Sequence, residues 1–310
     1  MARTHPWSLR YLRLWLVTKF FRLVTRVQLW RAPLPPFHNP QVIRTERNIP
    51  SRDQGRSIRT RWYRPASASP DEALPVLINF HGSGFILPMM LGQEEPFLHI
   101  VAERARCLVI DADYRKAPEN PFPLPCEDVE DVALYVLAQV PHTTMSFSGW
   151  SAGGNLALGL AVLLGPERVR SLLLFYPSTA AKEDRDGIPP ETRMDSGSPM
   201  PPGVLRHFVD CYILPETPLD DLRLSPGYAP TESMPRHIWA VAGTADPLYT
   251  PCSTMMKRLQ REGHPDAVFR SLPFAGHGFV RSMEPGGTPD PRTDEVYTEA
   301  IEFLCKSIAT

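Results

Sequence analysis

Long apolar runs are missing from this chain of 310 residues, and so is any surplus of charge. Lys and Arg number 33 against 34 Asp and Glu, a net of −1, which provides no field to draw in nucleic acid or another strongly charged partner. Cysteine is scarce. Cys107, Cys126, Cys211, Cys252 and Cys305 are odd in number, scattered, and form no C-x-x-C pair, a usage that suits a reducing, cytoplasmic compartment and argues against a disulfide framework. No stretch reaches the ~20 uninterrupted apolar residues that span a bilayer, and no internal repeat is present. What remains is an ordinary globular composition, 43% hydrophobic and 22% charged, in a length that suits one large core with an elaboration.

One local absence stands out: no Asp or Glu occurs before Glu46. Within this acid-free segment Leu9, Leu12, Leu16, Phe20, Leu23, Val27 and Trp30 recur at spacings of three and four, the period of one helix face. Arg13, Lys19, Arg22 and Arg26 interrupt it, so the segment does not read as a membrane span. Nor does it read as a signal peptide, because its charges run through the apolar part instead of preceding it. Three readings remain: a helix covering the main core, the leading one; a helix lying on a membrane surface; and an organellar transit peptide. The prolines of "APLPPFHNP" end the helix.

From there the chain alternates. "IRTERNIPSRDQGRSIRTRWYRP" predicts two strands around a polar turn at Asp53 to Gly55. "PVLINFHG", "CLVIDADYR", "TMSFSGW", "VRSLLLFYP", "HIWAVAG" and "DAVFRSLP" predict further strands. Helical spacing fills the intervals at 96–106, in "CEDVEDVALYVLAQV", "AGGNLALGLAVLLG" and "STMMKRLQREG", and again in the terminal "TDEVYTEAIEFLCKSI". Strand and helix in regular alternation predict an α/β fold with a mostly parallel sheet covered on both faces. Between Pro177 and Pro235 the alternation lapses into Pro-, Asp- and Ser-rich sequence around one helix-like piece, "VLRHFVDCYIL". That is too long for a plain crossover and reads as an insertion.

The chemistry starts at Gly149-Trp150-Ser151-Ala152-Gly153, a G-x-S-x-G with a predicted strand before it and a predicted helix after it, the setting of a nucleophile elbow. A serine hydroxyl needs a base. His277, in "LPFAGHGF", follows a predicted strand and is flanked by glycines that free the backbone; His264, at a helix end, reads as a surface residue. The base needs an acid to fix its tautomer. Asp246 in "VAGTADPLY" follows a predicted strand directly, whereas Asp266 opens one and so faces the opposite edge. Attack on a carbonyl creates an oxyanion that backbone N–H groups must hold. Ala152, next after the nucleophile, offers one donor; the loop of "HGSGF" offers Ser83 and Gly84, with Gly82 assisting the turn and His81 orienting the loop.

"HGSGF", "DYRKAPENPFP" and "GWSAGGN", followed by Asp246 and His277 in that order, resemble the hormone-sensitive-lipase-like branch of the α/β-hydrolase superfamily over nearly the whole chain after Pro36. The resemblance implies an α/β-hydrolase fold with an eight-stranded sheet and a helical cap. The expected division is 1–38 as the N-terminal part of the cap, 39–177 as the first part of the catalytic core, 178–235 as the cap insertion, and 236–310 as the rest of the core. It implies a serine carboxylesterase acting on a short-acyl ester of a small to medium apolar molecule, with no metal or organic cofactor. Asp113, Arg115 and Glu119 then become a structural ion-pair loop. Two departures are visible: Ser83 replaces a glycine beside the oxyanion site, where its side chain would narrow or polarise the acyl pocket, and Trp150 replaces an Asp, where its bulk would shape the floor of the site. More loosely, "PWSLRYLRLWL" together with "GWSAGGN" looks like fungal polyketide-pathway esterases. A lactonase, amidase or dehydratase could use the same triad, and a non-catalytic small-molecule receptor could share the fold.

Overall fold

The structure is a computed structural model that describes residues 8–31, 37–88, 90–140, 145–280 and 289–309. Eight strands form one sheet: β1 (Val42–Pro50), β2 (Ser57–Pro65), β3 (Val76–Phe80), β4 (Leu108–Ala112), β5 (Met145–Trp150), β6 (Val169–Phe175), β7 (His237–Gly243) and β8 (Asp266–Leu272). Their order is β1-β2-β4-β3-β5-β6-β7-β8. β1 and β2 pair antiparallel, β2 meets β4 antiparallel, and every later neighbour is parallel. The helices are α1 (Leu9–Arg31), α2 (Glu95–Arg104), α3 (Leu124–Gln139), α4 (Ala152–Leu164), α5 (Ala181–Arg185), α6 (Pro202–Tyr212), α7 (Tyr249–Arg261) and α8 (Thr293–Ala309). The expected alternation is thus present, with α5 as a short addition inside the insertion.

Strand composition explains placement. The central strands β3, β4 and β5 are buried at every position, as strands covered on both faces must be, and so they are largely apolar, with Asn79, Asp111, Ser146 and Ser148 as buried polar exceptions. The edge strand β1, "VIRTERNIP", is buried only near its ends. Alternate residues of each central strand feed two separate cores. Ile78, Ile110, Phe147, Leu172 and Ile238 join α3, α4 and α7 on one face; Leu77, Val109, Leu173 and Trp239 join α2 and α8 on the other. Because β3 to β8 run parallel, the carboxyl ends of β3, β5, β7 and β8 share one rim, with Phe80 opposite Gly149 and Gly243 opposite Leu272.

The N-terminal helix differs from expectation. α1 does pack on the rest of the molecule, but with the face opposite its leucine stripe: Leu14 and Thr18 are buried, while Leu9, Leu12, Leu16, Phe20, Leu23, Val27 and Trp30 are exposed. Polar anchors decide the orientation. Arg22 reaches Glu119 through two 2.8 Å bonds and donates to the carbonyls of Ile86 and Ala117, and Thr18 Oγ1 meets His207 Nε2 of α6 at 3.1 Å. Part of the N-terminal segment, 1–7 and 32–36, lies outside the described residues.

Candidate active site

The turn at Ser151 is built by what it cannot contain. β5 delivers the chain to Ser151 at φ 53° and ψ −118°, a left-handed conformation that an L-residue adopts at a cost of about 1–3 kcal/mol and that persists only where surroundings enforce it. Those surroundings are close: a Cβ added at Gly153 would lie 2.0 Å from the Phe80 carbonyl oxygen and 2.5 Å from that of His81. Only glycine lets the elbow sit on the end of β3. Ser151 N–H donates to the Phe175 carbonyl at 3.0 Å, and its own carbonyl accepts from Asn155 at 3.2 Å as α4 starts.

His277 arrives from the loop after β8. Its Nε2 lies 2.9 Å from Ser151 Oγ, and its Nδ1 lies 2.8 Å from Asp246 Oδ2. Asp246 follows β7, is fully buried, and takes a second hydrogen bond from Leu248 N–H at 2.9 Å on Oδ1. Because the carboxylate can only accept, the ring proton belongs on Nδ1, which leaves Nε2 to accept from the Ser151 hydroxyl. The structure therefore brings together three side chains that are far apart in sequence, in the Ser-Asp-His order read from it.

The loop after β3 faces the same cleft. Gly82, Ser83 and Gly84 line it together with Ser151 and His277. Among the described residues the N–H groups of Gly82, Ser83 and Gly84 have no acceptor, and Ala152, as the first residue of α4, has no partner within its helix. Gly84 sits at φ 54°, and a Cβ there would lie 2.5 Å from the Phe208 ring. Beneath, a buried polar layer fixes the loop. His81 is bonded to Asp113 Oδ1 at 3.3 Å and stacks on Tyr114, whose hydroxyl donates to the His81 carbonyl at 2.7 Å. Burial alone would raise the Asp113 carboxyl, but the His81 hydrogen bond and the Lys116 ammonium hold it well below the usual carboxylate range.

The two departures resolve physically. The Ser83 hydroxyl is buried and bonded to the Tyr114 hydroxyl at 2.8 Å, so it turns into this layer instead of narrowing the acyl side. Trp150 borders the cleft, yet its indole does not form the floor: it is fully buried, stacked on Phe175 at 3.7 Å, and donates to Asn79 Oδ1 at 3.0 Å. Asn79 in turn donates to Asp111 at 2.8 Å, a carboxyl that burial, with Glu94 nearby, pushes up to about 8.

Other sequence readings shift. His264 is not a surface residue; it is buried, with Nε2 2.9 Å from the Pro235 carbonyl oxygen, and it pins the entry to β7 and β8. Asp266 stands at the opposite end of the sheet, 2.7 Å from His237. Asp113, Arg115 and Glu119 do form ion pairs, each with a different partner: Lys116, Asp128 and Arg22 respectively. Sequence reasoning missed the clamp on the His277 loop. Asp195, Ser196 and Ser198 exchange backbone hydrogen bonds of 2.8–2.9 Å with Phe274, Gly276 and His277, so the insertion holds the histidine loop. The only signal was "DSGSP", a turn-forming string without side-chain chemistry.

The cleft has a volume of about 200 Å³ and a mostly apolar wall that includes Leu87, Met200, Val204 and Phe208. A larger cavity of about 650 Å³ lies between α5, α7 and the Gly227–Tyr228 turn; none of Ser151, Asp246 and His277 borders it, so its size alone does not make it the reaction site.

Comparison with known proteins agrees with this geometry. Residues 77–281 match the family model described as alpha/beta hydrolase fold. The versiconal hemiacetal acetate esterase of Emericella nidulans is 31% identical over 62% of this chain and 68% of its own. Carboxylesterase NlhH of Mycobacterium tuberculosis is 30% identical over 83% of this chain and 82% of its own. The hyperthermophilic esterase of Pyrobaculum calidifontis superposes with a TM-score of 0.71 at 25% identity, covering 95% of this chain and 92% of that one. A family match spanning most of the chain, on an eight-stranded sheet with a serine at the elbow, places this protein in the α/β-hydrolase superfamily, among its carboxylic ester hydrolases.

Proposed function

We propose that Ser151, His277 and Asp246 are the catalytic triad of this esterase and that it cleaves short-acyl, acetyl-like esters of a small to medium apolar alcohol. Ser151 Oγ attacks the ester carbonyl carbon as its proton passes to His277 Nε2. The carbonyl oxygen becomes an oxyanion held by the N–H groups of Ser83, Gly84 and Ala152, with Gly82 shaping the turn. Collapse expels the alcohol, which takes the proton from His277, and leaves an acyl group on Ser151. Water then repeats the attack and releases the acid. The observation that carries this reading is the unbroken chain Asp246–His277–Ser151, at 2.8 and 2.9 Å, opening on a cleft lined by N–H groups that have no acceptor among the described residues.

The acyl preference rests on Phe208. Its ring lies against Gly84, which narrows the cleft beside the oxyanion and favours a short acyl group, while the apolar wall suits a hydrophobic alcohol. The Emericella relative is named for an acetate ester, which supports the same choice and the likeness to fungal polyketide-pathway esterases. In this reading 1–38 and 178–235 form the cap, 39–177 and 236–310 form the core, and the chain sits in the hormone-sensitive-lipase-like branch. Hydrolysis of an aryl ester series of rising acyl length tests it. Activity should fall beyond short chains, and Phe208→Ala should move the optimum to longer chains by raising their kcat/KM about tenfold. A wild-type preference for long acyl groups would overturn the proposal.

A further inference from the structure

Most helices on a soluble surface turn apolar side chains inward. α1 does the reverse. Its inward face carries Arg22 and Thr18, held by the contacts to Glu119 and His207, with Leu14 and Phe21 as its apolar contacts to the core. Its outward face carries Leu9, Leu16, Phe20, Leu23, Val27 and Trp30, with Leu9 87%, Phe20 65% and Trp30 81% exposed. Wound at about 100° per residue, these fall within an arc of about 80°. Lys19 and Arg26 border that arc on one side, Arg13 and Arg31 on the other. The helix holds basic residues throughout and no acidic one.

We propose that α1 docks this protein on an anionic lipid surface. An apolar stripe flanked by two rows of Lys and Arg is the pattern of a helix lying in the headgroup plane: leucine and aromatic side chains enter the acyl boundary while the long basic stems reach back to phosphates. The charge argues against the other cover for such a face. A second copy seated on it about a twofold axis would bring the same basic rows together, unrelieved by any carboxylate of its own helix. An anionic surface neutralises them instead. Spanning is a different matter: among the described residues no helix is long and apolar enough to cross a membrane.

Docking also serves the cleft. Phe21, on the inward side of α1, meets Phe208 edge-on at 6.0 Å, and Phe208 lines the cleft. A docked α1 therefore holds that wall about one helix diameter, ~10 Å, from the lipid, where apolar esters concentrate.

Sedimentation of the full chain with vesicles tests the proposal without reading activity. Phosphatidylcholine vesicles with about a quarter phosphatidylserine should pellet the protein, pure phosphatidylcholine far less, and salt near 1 M should release it, since the screening length then drops to ~3 Å. A Leu16→Asp, Phe20→Asp double variant should partition about tenfold or more weakly, and so should Arg13→Glu with Arg26→Glu. All four positions are exposed, so circular dichroism and turnover of a soluble aryl ester should match wild type. No pelleting with the anionic vesicles, or pelleting indifferent to both double variants, would overturn the proposal. So would a concentration-dependent dimer in sedimentation velocity that the Leu16→Asp, Phe20→Asp variant abolishes, which would assign the face to a second copy.

Discussion

Strands β7 and β8 each contribute to two histidine–aspartate pairs, one at either end of the sheet. At the carboxyl rim His277 Nδ1 lies 2.8 Å from Asp246; at the opposite rim His237 Nδ1 lies 2.7 Å from Asp266. Hydrogen-bond length does not separate them. What separates them is the far side of the ring. His277 Nε2 meets a serine hydroxyl that opens on a cleft, whereas His237 Nε2 is buried without a hydrogen-bond partner among the described residues. The carboxylates differ as well: Asp246 is sealed from solvent, while the side chain of Asp266 is 39% exposed. A histidine–carboxylate contact is therefore a common structural tie, and it becomes a base only where its second nitrogen faces a nucleophile and a substrate.

Four substitutions press on that contrast. Ser151→Ala removes the group that distinguishes the carboxyl-rim pair; ester turnover should drop by ~10⁴-fold or more with the thermal transition intact, and retained kcat would end the assignment. Asp246→Asn preserves shape but permits the wrong tautomer, so kcat should fall ~10³–10⁴-fold in a steady-state assay on the same ester. Asp184→Asn probes a buried carboxyl that has no imidazole partner among the described residues. Asp184 accepts from Ser178 Oγ and Ala180 N–H, and burial, only partly opposed by those bonds, pushes it up to about 7. Unfolded, it titrates near ~3.9. The native state thus holds the extra proton between those values, and its contribution to stability is full below the lower one and lost as pH rises through the upper. Denaturant melts of wild type should lose on the order of 3 kcal/mol between about pH 4 and pH 7 from this group, a slope that the asparagine variant lacks. Smallest is Asp266→Asn, with kcat unchanged and stability lowered by about 1 kcal/mol or less, because the pair is partly solvated. A large loss of turnover there would erase the distinction between the two rims.

Much of this was legible because two codes coincide in the chain. Parallel strands such as "VLINF" and "SLLLF" are largely apolar, and Ser151, Asp246 and His277 each follow a strand of the sheet, so locating strand ends located all three. Orientation was less legible. The leucine period in α1 marks a stripe but not which way it points, and Arg22, one residue in the stripe's interruptions, sets the direction through Glu119. His264 looked superficial because its partner, the Pro235 carbonyl, is main chain. The same holds for the clamp between 195–198 and 274–277, whose hydrogen bonds leave no trace in residue type. Phe208 over Gly84 is a contact between segments that nothing in their own patterns connects.

With no space for even a methyl between Gly153 and the carbonyls of Phe80 and His81, the Ser151 turn and the loop after β3 form one tightly packed piece. Descendants of this chain that acquire new esters would inherit that piece whole and vary in 178–235, where Phe208 supplies part of the cleft wall. Innovation in this molecule is thereby confined to the wall of the cleft, and the chemistry beneath stays invariant because its two halves are packed backbone against backbone.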